Sequence, residues 1–379
     1  MRLLFVTAHR YIPQSYGGME SSTNELCAIL KQRGHHVAVL AGFATGAPLG
    51  FASRLKMHVN ERLSGCKVAR DFVSDYAVWR TWHSWDAVEY VAQKERPDLI
   101  VVMAGQPVRM AMAAKRTQTP VLMRLHDVEF HQHGGKFEDL GNIPCVANSR
   151  FTSERYRNAF GVNPGVIYPC FSAEKYRSKT TRENVTFINP HPYKGRDIAL
   201  SLARLCPEIP FVFVESWRLS DQHRQQLNEN LATLPNATLM RPQRDMRKVY
   251  ERCKILLAPS MWEEAYGRVV TEAQLSGIPA IASTRGGLPE AVGTGGILLD
   301  PAQPITDWAA IIRKLWRDES EYAELSNAAS TYAERPELSP AFQGDAWEEA
   351  MRECLSRRTL KTRAVSVAQR SNDGGRVSG

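Results

Sequence analysis

The sequence predicts an α/β protein of two domains, each built on a doubly wound parallel sheet with helices on both faces. The chain has 379 residues, which is more than one ordinary hydrophobic core requires. Short apolar runs alternate with amphipathic stretches through most of it, as in repeated strand–helix–strand units. The series starts again near residue 170 and becomes purely helical after Pro301.

Apolar runs in the first half predict five strands, separated by helical stretches. The expected strands are Arg2–Ala8, His36–Ala41, Asp98–Met103, Val121–Leu125 and Ile143–Ala147. The expected helices are Met19–Arg33, Trp79–Lys94, Gln106–Arg116 and Ser149–Ala159.

The second half repeats this scheme and ends in three further helices. The expected strands are Val185–Ile188, Phe211–Val214, Thr238–Met240, Ile255–Ala258 and Pro279–Ala282. The expected helices are Lys194–Leu205, Asp221–Leu231, Met246–Arg252, Arg268–Ser276, Thr306–Arg317, Glu319–Tyr332 and Ala341–Arg357.

The domain boundary is predicted after Pro169, because Pro and Gly punctuate the chain just before it. This places a first domain at 1–169 and a second at 170–340, followed by a helix at 341–357. The tail 358–379 is rich in Arg, Ser and Gly and poor in apolar groups, so we expect it to be disordered.

Composition is that of a globular chain without membrane-spanning segments. Hydrophobic residues make up 43% and charged residues 23%, and no stretch approaches the roughly 18 to 20 apolar residues that span a bilayer. The short apolar start Met1–Ala8 leads at once into His9, which indicates a strand rather than a targeting segment. The seven cysteines are odd in number and widely spaced, which favours reduced core cysteines in a cytoplasmic protein.

The net charge of +8 is unevenly distributed. Residues 1–165 carry +6, residues 166–356 carry −3 and residues 357–379 carry +5. A basic first domain suits an anionic acceptor or a membrane surface that contains anionic lipid. An ordinary solvated surface explains the same charge and stays open as the alternative.

The strongest motif follows the expected strand Ile255–Ala258 and opens the next helix. Glu264 and Glu272 lie eight residues apart with Gly267 between them, so one carboxylate belongs to the loop and the other to the helix. A helix start offers free N–H groups and a positive dipole end to a phosphate, and a carboxylate can accept hydrogen bonds from a cis-diol such as ribose. Taken alone, the pattern fits equally well a helix whose acidic residues complement its dipole.

The segments around this motif resemble the retaining glycosyltransferases of family four. Pro259-Ser260 precedes it, and Ser276-Gly277-Ile278-Pro279 and Gly286-Gly287-Leu288-Pro289-Glu290 follow in the family's order and spacing. The resemblance implies the GT-B fold, in which two Rossmann-like domains face each other across a cleft and a C-terminal helix crosses back to the first domain. It also implies transfer of a sugar from a nucleotide-sugar donor with retention of the anomeric configuration.

The first half of the chain supports the resemblance, which covers roughly residues 1–300. Gly17-Gly18-Met19-Glu20 is similar to the family's glycine loop, where the absence of Cβ atoms lets the backbone approach a diphosphate. His126-Asp127, Asn148-Ser149 and Lys194-Gly195 each follow an expected strand and match further steps of the family pattern.

The resemblance also implies roles for individual residues. His126 and Glu264 are expected at the reacting centre as catalytic residues, and Glu272 at the ribose. The other donor-binding positions that it implies are Gly17, Gly18, Lys194, Arg196, Tyr266, Gly267, Arg268 and Val269. Our candidates for acceptor binding are Arg10, Asp127 and Trp82.

The sequence departs from the family pattern at one cation. Asn189 stands where the family usually has an Arg that holds the diphosphate together with the Lys, and Arg196 or Arg268 are candidates to replace it. Glu263 precedes Glu264 and makes the first Glu ambiguous, although the spacing favours Glu264.

No metal or cofactor is expected, because the chain lacks a D-x-D pair. The polar segment from His126 to His133 could ligate a cation, or could instead contact acceptor hydroxyls near the cleft. Trp79, Trp82 and Trp85 are spaced for one face of a helix, which fits either a sugar-stacking platform or packing on a sheet.

Several functions are compatible with this sequence. We favour transfer of a hexose from a UDP-sugar to a glycan, a lipid-linked acceptor or a small natural product, in the cytoplasm or at the inner face of the membrane. The alternatives are a GT-B-fold nucleotide-sugar epimerase and a non-catalytic binding subunit. A dinucleotide-dependent dehydrogenase is disfavoured because no G-x-G-x-x-G follows the first strand, and no nucleic-acid partner is expected.

Overall fold

Two parallel sheets, one in each half of the chain, form the framework that the sequence predicts. The computed structural model describes residues 1–45, 50–72, 75–217 and 219–373, with side chains as far as Arg357. The predicted domain boundary lies in the segment that connects the two sheets.

The first domain contains eight strands and five helices within the described residues. The strands are β1 (Arg2–Arg10), β2 (His36–Gly42), β3 (Ala69–Asp71), β4 (Ala77–Thr81), β5 (Leu99–Val102), β6 (Val121–Leu125), β7 (Cys145–Ala147) and β8 (Gly165–Val166). The helices are α1 (Gly18–Gln32), α2 (Gly50–Ser64), α3 (Ser84–Glu95), α4 (Pro107–Arg116) and α5 (Arg150–Phe160).

The first sheet has the order β3-β4-β2-β1-β5-β6-β7-β8, and its neighbouring strands are parallel except for β3 and β4. Leu4 and Val6 of the central strand pack in one apolar cluster with α3 and α4. Leu3 and Phe5 pack in the opposite cluster with α1. Burial of both faces explains why this strand is a continuous apolar run in the sequence.

The segment between residues 50 and 83 differs from the prediction, since α2, β3 and β4 were not expected there. The expected helix Trp79–Lys94 is instead strand β4 followed by α3. Trp79 lies in the sheet, where its buried ring donates from Nε1 to Glu95 Oε1 at 2.8 Å. Arg80 beside it is fully buried and pairs with Asp71. Arg80 interrupts the apolar run from which a strand would be predicted here.

The three tryptophans therefore do not share a helix face. Trp79 belongs to β4, Trp82 follows the end of that strand and Trp85 lies in α3. The packing interpretation is confirmed for Trp79, which is buried in the first apolar cluster.

The second domain contains six strands and the remaining helices. The strands are β9 (Asn184–Ile188), β10 (Phe211–Val214), β11 (Ala237–Met240), β12 (Cys253–Ala258), β13 (Ala280–Ser283) and β14 (Gly296–Leu299). The helices are α6 (Ala173–Tyr176), α7 (Arg196–Leu205), α8 (Asp221–Ala232), α9 (Arg247–Tyr250), α10 (Arg268–Gln274), α11 (Leu288–Val292), α12 (Ile305–Arg317), α13 (Glu319–Ala333) and α14 (Pro340–Asp373).

The second sheet has the order β11-β10-β9-β12-β13-β14, and all of its neighbouring strands are parallel. The five predicted strands are present with small shifts of their ends. β14 was not predicted, because its glycine start and short length give a weak strand signal.

The last helix, α14, crosses back to the first domain. Trp347 and Met351 are buried in the same apolar cluster as Leu3 and Phe5 of β1. Arg33 at the end of α1 also pairs with Asp345 at 2.7 Å. The GT-B prediction of a crossover helix is therefore confirmed.

α14 runs on to Asp373, past the predicted end at residue 357. The sequence holds no Gly or Pro between residues 345 and 373, so nothing local stops the helix before Gly374. The tail that we expected to be disordered begins inside this helix, and its residues 374–379 lie outside the described part of the chain.

Replacing the buried crossover tryptophan should test how strongly α14 is held. Trp347→Ala removes a fully buried side chain from the first-domain core, and we expect it to lower the free energy of unfolding by about 3–5 kcal/mol. Glu349→Ala on the exposed side of α14 is the matched control and should change it by less than about 0.5 kcal/mol. Urea unfolding followed by tryptophan fluorescence and circular dichroism measures both, and equal stability of the two variants would contradict the packing.

Candidate active site in the cleft between the domains

A cleft of about 850 Å³ opens between the two domains. Loops that follow β1, β6, β7, β9 and β12 line it, so the carboxyl ends of both sheets face each other across it. Ligands of open parallel sheets bind beyond these strand ends. The predicted site residues that line the cleft are Gly17, Gly18, His126, Asp127, Lys194, Glu264, Tyr266, Gly267, Arg268, Val269 and Glu272.

The glycine loop lies where α1 meets the cleft. A Cβ on Gly17 would come within 2.5 Å of Glu20 Oε2, and a Cβ on Gly18 would lie 3.3 Å from Arg268 of the second domain. The missing side chains of Gly17 and Gly18 thus leave room for Glu20 and Arg268, and neither glycine has a left-handed backbone. The 15-residue helix α1 that follows directs its free N–H groups and positive dipole end toward this loop.

Two neighbouring strands end in polar side chains that lack partners. Leu125 of β6 pairs with Ala147 of β7, so His126 and Asn148 follow at the same level of the sheet. His126 Nε2 and Asn148 Oδ1 are buried and make no hydrogen bond within the described part of the chain. Because an unpaired buried polar atom costs about 1–3 kcal/mol, both atoms are suited to bind a ligand that brings hydroxyl groups.

His126 is held in its neutral form. Burial lowers its pKa well below the ordinary value, and the positive charges of Arg124 and Arg268 add to this effect. A neutral imidazole has one donor and one acceptor nitrogen, so it can bind a hydroxyl group without adding charge to the cleft.

Asp127 is a carboxyl group whose protonation changes near neutral pH. Burial raises its pKa to about 7, and the negative charge of Glu129 contributes in the same direction. At pH 7 this side chain can therefore both donate and accept hydrogen bonds at the cleft wall.

Lys194 and Glu264 form the charged pair of the second domain. Lys194 Nζ lies 2.5 Å from Glu264 Oε1, which also accepts a hydrogen bond from Ser260 Oγ at 2.7 Å. The Lys194 ammonium group lies 4.8 Å from the ring of Trp217 and 5.5 Å from that of Trp262. The aromatic rings and the carboxylate therefore hold this cation at the wall of the cleft.

The geometry also separates the two adjacent glutamates. Glu264 faces Lys194, whereas Glu263 pairs with Arg155 of the first domain at 3.3 Å and its side chain is 44% exposed. This placement supports the choice of Glu264 that the spacing indicated.

Two glycines with left-handed backbones fix the loops that carry these residues. Gly195 has a φ of 84°, and a Cβ there would lie 2.0 Å from the carbonyl oxygen of Pro259. Gly267 has a φ of 98°, and a Cβ there would lie 2.6 Å from Leu288. Neither position tolerates a side chain, so the turn after Lys194 and the turn before α10 both depend on glycine.

Glu272 lies in a buried network that joins the two domains. Its Oε1 accepts a hydrogen bond from Arg268 Nε at 3.1 Å, and its Oε2 accepts one from the Tyr250 hydroxyl at 3.0 Å. Arg268 Nη2 lies 3.4 Å from Glu25 of α1 in the first domain, and Glu25 in turn accepts from the Tyr176 hydroxyl. Burial raises the pKa of Glu272, and Arg268 opposes that shift.

Neither candidate replacement for the missing arginine is free to serve the cleft. Arg196 is buried beside Asp197, with 2.9 Å between Nε and Oδ1, and it does not line the cleft. Arg268 lines the cleft, but its guanidinium group is engaged with Glu25 and Glu272. The prediction that Arg196 binds the donor directly is therefore not supported by its position.

Among the residues that the structure describes, three other cations line the cleft and were not predicted: Lys175, Arg244 and Arg247. The Arg244 guanidinium group lies 5.8 Å from the ring of Tyr16, which belongs to the loop before Gly17. In the sequence, the feature that could have indicated these cations is the basic loop directly after the strand β11.

Two predicted acceptor residues lie outside the cleft lining. Arg10 is exposed at the end of β1, and Trp82 is 44% exposed with its ring edge-on to Phe43 at 4.9 Å. Trp82 follows β4, which is two strands away from β1 in the sheet, and this distance keeps it from the cleft. Asp127 remains the acceptor candidate that lines the cleft.

The polar segment after His126 does not converge on a cation. His133 is buried and its Nε2 lies 2.9 Å from the Tyr156 hydroxyl, within a cluster of aromatic rings. Among the described residues, no group of three or more His, Cys, Asp or Glu side chains is placed to hold a metal ion.

Contacts beside the cleft hold the domains together. The Glu290 carboxylate accepts hydrogen bonds from the backbone N–H of Arg150, 2.9 Å from each oxygen, at the start of α5. The Ser149 hydroxyl donates to the carbonyl of Ala265 at 2.5 Å. Glu290 is the last residue of the GG-x-x-E segment, so part of this motif bridges the domains.

Two parallel-sheet domains that face each other across such a cleft, with a helix crossing back, form the GT-B fold. Residues 174–333 match the sequence profile of the family "Glycosyl transferases group 1", and residues 17–161 match that of the "Glycosyl transferase 4-like domain". Together the two matches cover well over half of the chain. The chain belongs to the family-four glycosyltransferases.

Curated relatives are similar over part of their length. A D-inositol 3-phosphate glycosyltransferase of Corynebacterium kroppenstedtii is 35% identical over 116 residues, which is 30% of this chain and 25% of that protein. The enzyme of the same name from Mycobacterium marinum is 29% identical over 190 residues, which is 45% of this chain and 40% of that protein. The matched segments thus span less than half of either relative.

Solved structures share the fold over nearly the full chain. HepE of Anabaena, in complex with UDP and glucose, superimposes with a TM-score of 0.73 at 20% identity and covers 93% of this chain and 100% of its own. Sucrose-phosphate synthase of Thermosynechococcus elongatus gives 0.70 at 15% identity and covers 94% and 99%. These likenesses support the fold.

The raised pKa of Asp127 predicts a pH-dependent stability. The folded carboxyl binds its proton more tightly than the unfolded one, which titrates near about 3.9. Stability is therefore lost as the pH rises from about 4 to about 7. Asp127→Asn removes this loss, so we expect its Tm to exceed that of the wild type at pH 8 and to match it at pH 4. Asp139→Asn, a change on the exposed surface, should show no such trend, and a pH-independent difference for Asp127→Asn would contradict the burial of this carboxyl.

Proposed function

We propose that the protein transfers a hexose from a UDP-sugar to a hydroxyl group of an acceptor, with retention of the anomeric configuration and without a metal. The observation that carries this proposal is that His126, Lys194, Glu264 and Glu272, which come from separate strand ends of two domains, line one cleft beside the glycine loop.

The charges of the cleft support a position for the donor. Lys194 and the start of α1 are the positive features that face the diphosphate, and they stabilise its growing charge as the sugar departs. The Glu272 carboxylate has lone pairs left after its bonds to Arg268 and Tyr250, and these accept the ribose hydroxyls. Arg244, rather than Arg196, supplies the further positive charge that Asn189 lacks, since Arg247 is paired with Asp245 at 2.8 Å.

The transferred sugar lies between Glu264 and His126. His126 Nε2 and Asn148 Oδ1 bind its hydroxyls from the first domain, while Glu264 binds from the second. Retention follows if the acceptor attacks on the face from which the phosphate leaves, with the departing phosphate oxygen taking the acceptor's proton. Glu264 is then a group that orients the sugar rather than a nucleophile.

UDP is favoured as the nucleotide because HepE of Anabaena, which shares the fold, was solved with UDP and with UDP-glucose. An anionic acceptor is favoured because residues 1–165 carry +6 and because the curated relatives are named for transfer to D-inositol 3-phosphate. A lipid-linked acceptor fits the same charge, and with it a cytoplasmic enzyme in peripheral contact with the membrane. Within the described residues no helix is long and apolar enough to span a bilayer.

Nucleotide binding and the ribose role can be tested together. We expect UDP at about 100 times its Kd to stabilise the protein by about 2.7 kcal/mol. This stabilisation should be visible as a rise in Tm without added magnesium, and GDP, ADP and dTDP should give smaller shifts.

Glu272→Gln weakens the bonds to the ribose hydroxyls and should raise the Kd of UDP by about tenfold or more. Calorimetry with UDP and with inorganic pyrophosphate measures this, and the pyrophosphate affinity should stay unchanged.

Glu263→Gln is the matched control for this experiment, because it changes a neighbouring carboxylate that pairs with Arg155 instead. If wild type and Glu272→Gln bind UDP with equal affinity, the proposed contact of Glu272 with the ribose is contradicted. If no nucleotide shifts the Tm, the proposed donor site is contradicted and the non-catalytic alternative is favoured.

Asn148 should distinguish the sugar from the nucleotide. Asn148→Ala removes one hydrogen bond to the transferred sugar, and we expect the Kd of the UDP-sugar to rise by about three- to tenfold while that of UDP is unchanged. Asn158→Ala on the exposed side of α5 is the control. An equal loss of affinity for UDP and UDP-sugar would show that Asn148 acts through the shape of the cleft instead.

A further inference from the structure

Helix α2 carries an apolar stripe on the face that points away from the protein. Its buried residues are Gly50, Ser53 and Met57. Since each residue turns a helix by about 100°, these three lie within an arc of about 60°. This arc is the side on which α2 packs against the first domain, where Met57 contacts Phe43 and Ala69 in a small cluster.

Four large apolar residues occupy the opposite side of α2. Phe51, Leu55, Val59 and Leu63 follow one another at intervals of four, which spreads them over an arc of about 120° nearly opposite the buried one. Their exposed fractions are 85%, 59%, 51% and 82%. Phe72, just after β3, adds a further side chain that is 67% exposed. Single exposed apolar residues are ordinary, but a stripe of this extent marks an interaction surface.

Positive charges border this stripe on both sides. Arg54 lies on one flank, Lys56 on the other, and Arg62 within the apolar arc, all three with exposed side chains. Glu61 is the one acidic residue in the sequence of the helix, and it pairs with Lys67 at 3.1 Å. The exposed side of α2 therefore carries an apolar stripe with basic residues at both margins and one arginine, Arg62, among the apolar side chains.

We propose that α2 docks on the surface of a bilayer that contains anionic lipid, with the stripe among the acyl chains and the cations at the headgroups. A helix with a broad apolar face and basic flanks lies in the plane of the interface, since long basic side chains extend along apolar surface to reach charged headgroups. Anionic lipid adds an attraction for each basic residue near the surface. This inference builds on the peripheral contact proposed above and names the surface that makes it.

The charge pattern favours lipid over a protein as the occupant. Arg62 lies within the apolar arc, and its long side chain can extend along the apolar surface to a charged headgroup. A second copy of this chain would bring two basic faces together, and their repulsion would oppose association. A bilayer with anionic headgroups satisfies the apolar stripe and both basic margins at once.

Flotation of the full chain with vesicles tests the proposal without donor or acceptor. We expect binding at low salt to vesicles of phosphatidylcholine with about 40% phosphatidylglycerol and at least tenfold weaker binding to phosphatidylcholine alone, because the attraction is partly electrostatic. Binding should fall as the salt concentration rises toward 1 M, where the screening length shortens to about 3 Å.

Two variants separate the apolar and basic contributions. Leu55→Asp with Leu63→Asp should abolish binding, and Arg54→Ser with Arg62→Ser should weaken it by about fivefold for each charge removed. Met112→Asp on α4 and Lys179→Ser in the second domain are the matched controls and should bind as the wild type does. All of these side chains are exposed, and circular dichroism and Tm verify that each variant folds.

The proposal is overturned if the wild type does not float with anionic vesicles, or if the α2 variants bind as well as the controls. It is also overturned if light scattering reveals a dimer that Leu55→Asp with Leu63→Asp dissociates, because the occupant is then a second copy. UDP affinity measured on the same samples keeps the outcomes apart: loss of vesicle binding with intact UDP binding concerns α2 alone.

Discussion

The buried charge of Arg268 is the constraint around which the cleft is organised. Its guanidinium group donates to Glu272, to the carbonyl of Cys170 and to the Tyr176 hydroxyl, and it lies near Glu25 of the first domain. Burial alone would lower its pKa, but Tyr176 and the two carboxylates outweigh burial and raise it. An arginine in this position must have carboxylate partners, since an unpaired buried charge costs several kcal/mol.

This network fixes Glu272 and the arrangement of the domains with one set of bonds. Glu272 is held from one side by Arg268 and from the other by Tyr250, so its carboxylate has a single orientation in the wall of the cleft. Glu25 reaches the same network from α1, the helix whose start forms the glycine loop. Arg268 also lies beside Gly18, where a Cβ would press against its side chain. Relative movement of the domains therefore changes both walls of the donor site together.

The sequence predicts the fold and most of the candidate site because the relevant signals are local. Strands buried on both faces are continuous apolar runs, and the residues that line the cleft follow their ends, so Lys194 and His126 can be located by order alone. β4 is different, since its stability depends on the pair of Arg80 with Asp71 from another strand, and no local pattern shows that pair. Nor could the sequence show that Arg244 reaches toward Tyr16. That position follows from the packing of one domain on the other.

The two surfaces of the first domain, the cleft and the stripe of α2, begin from neighbouring loops. Ala44, in the segment between β2 and α2, exchanges two hydrogen bonds with the Gln14 side chain, at 3.1 and 3.2 Å, in the loop that leads to Gly17. Both loops leave the carboxyl edge of the first sheet, so the start of α2 and the glycine loop lie at the same end of this domain. An enzyme that rests on a bilayer through α2 thus has the first-domain wall of its cleft near the lipid surface. An anionic, lipid-linked acceptor would then reach the basic first domain and the cleft from the membrane side. The positive charge of residues 1–165, the exposed stripe of α2 and the proposed reaction are all consistent with this orientation on the membrane.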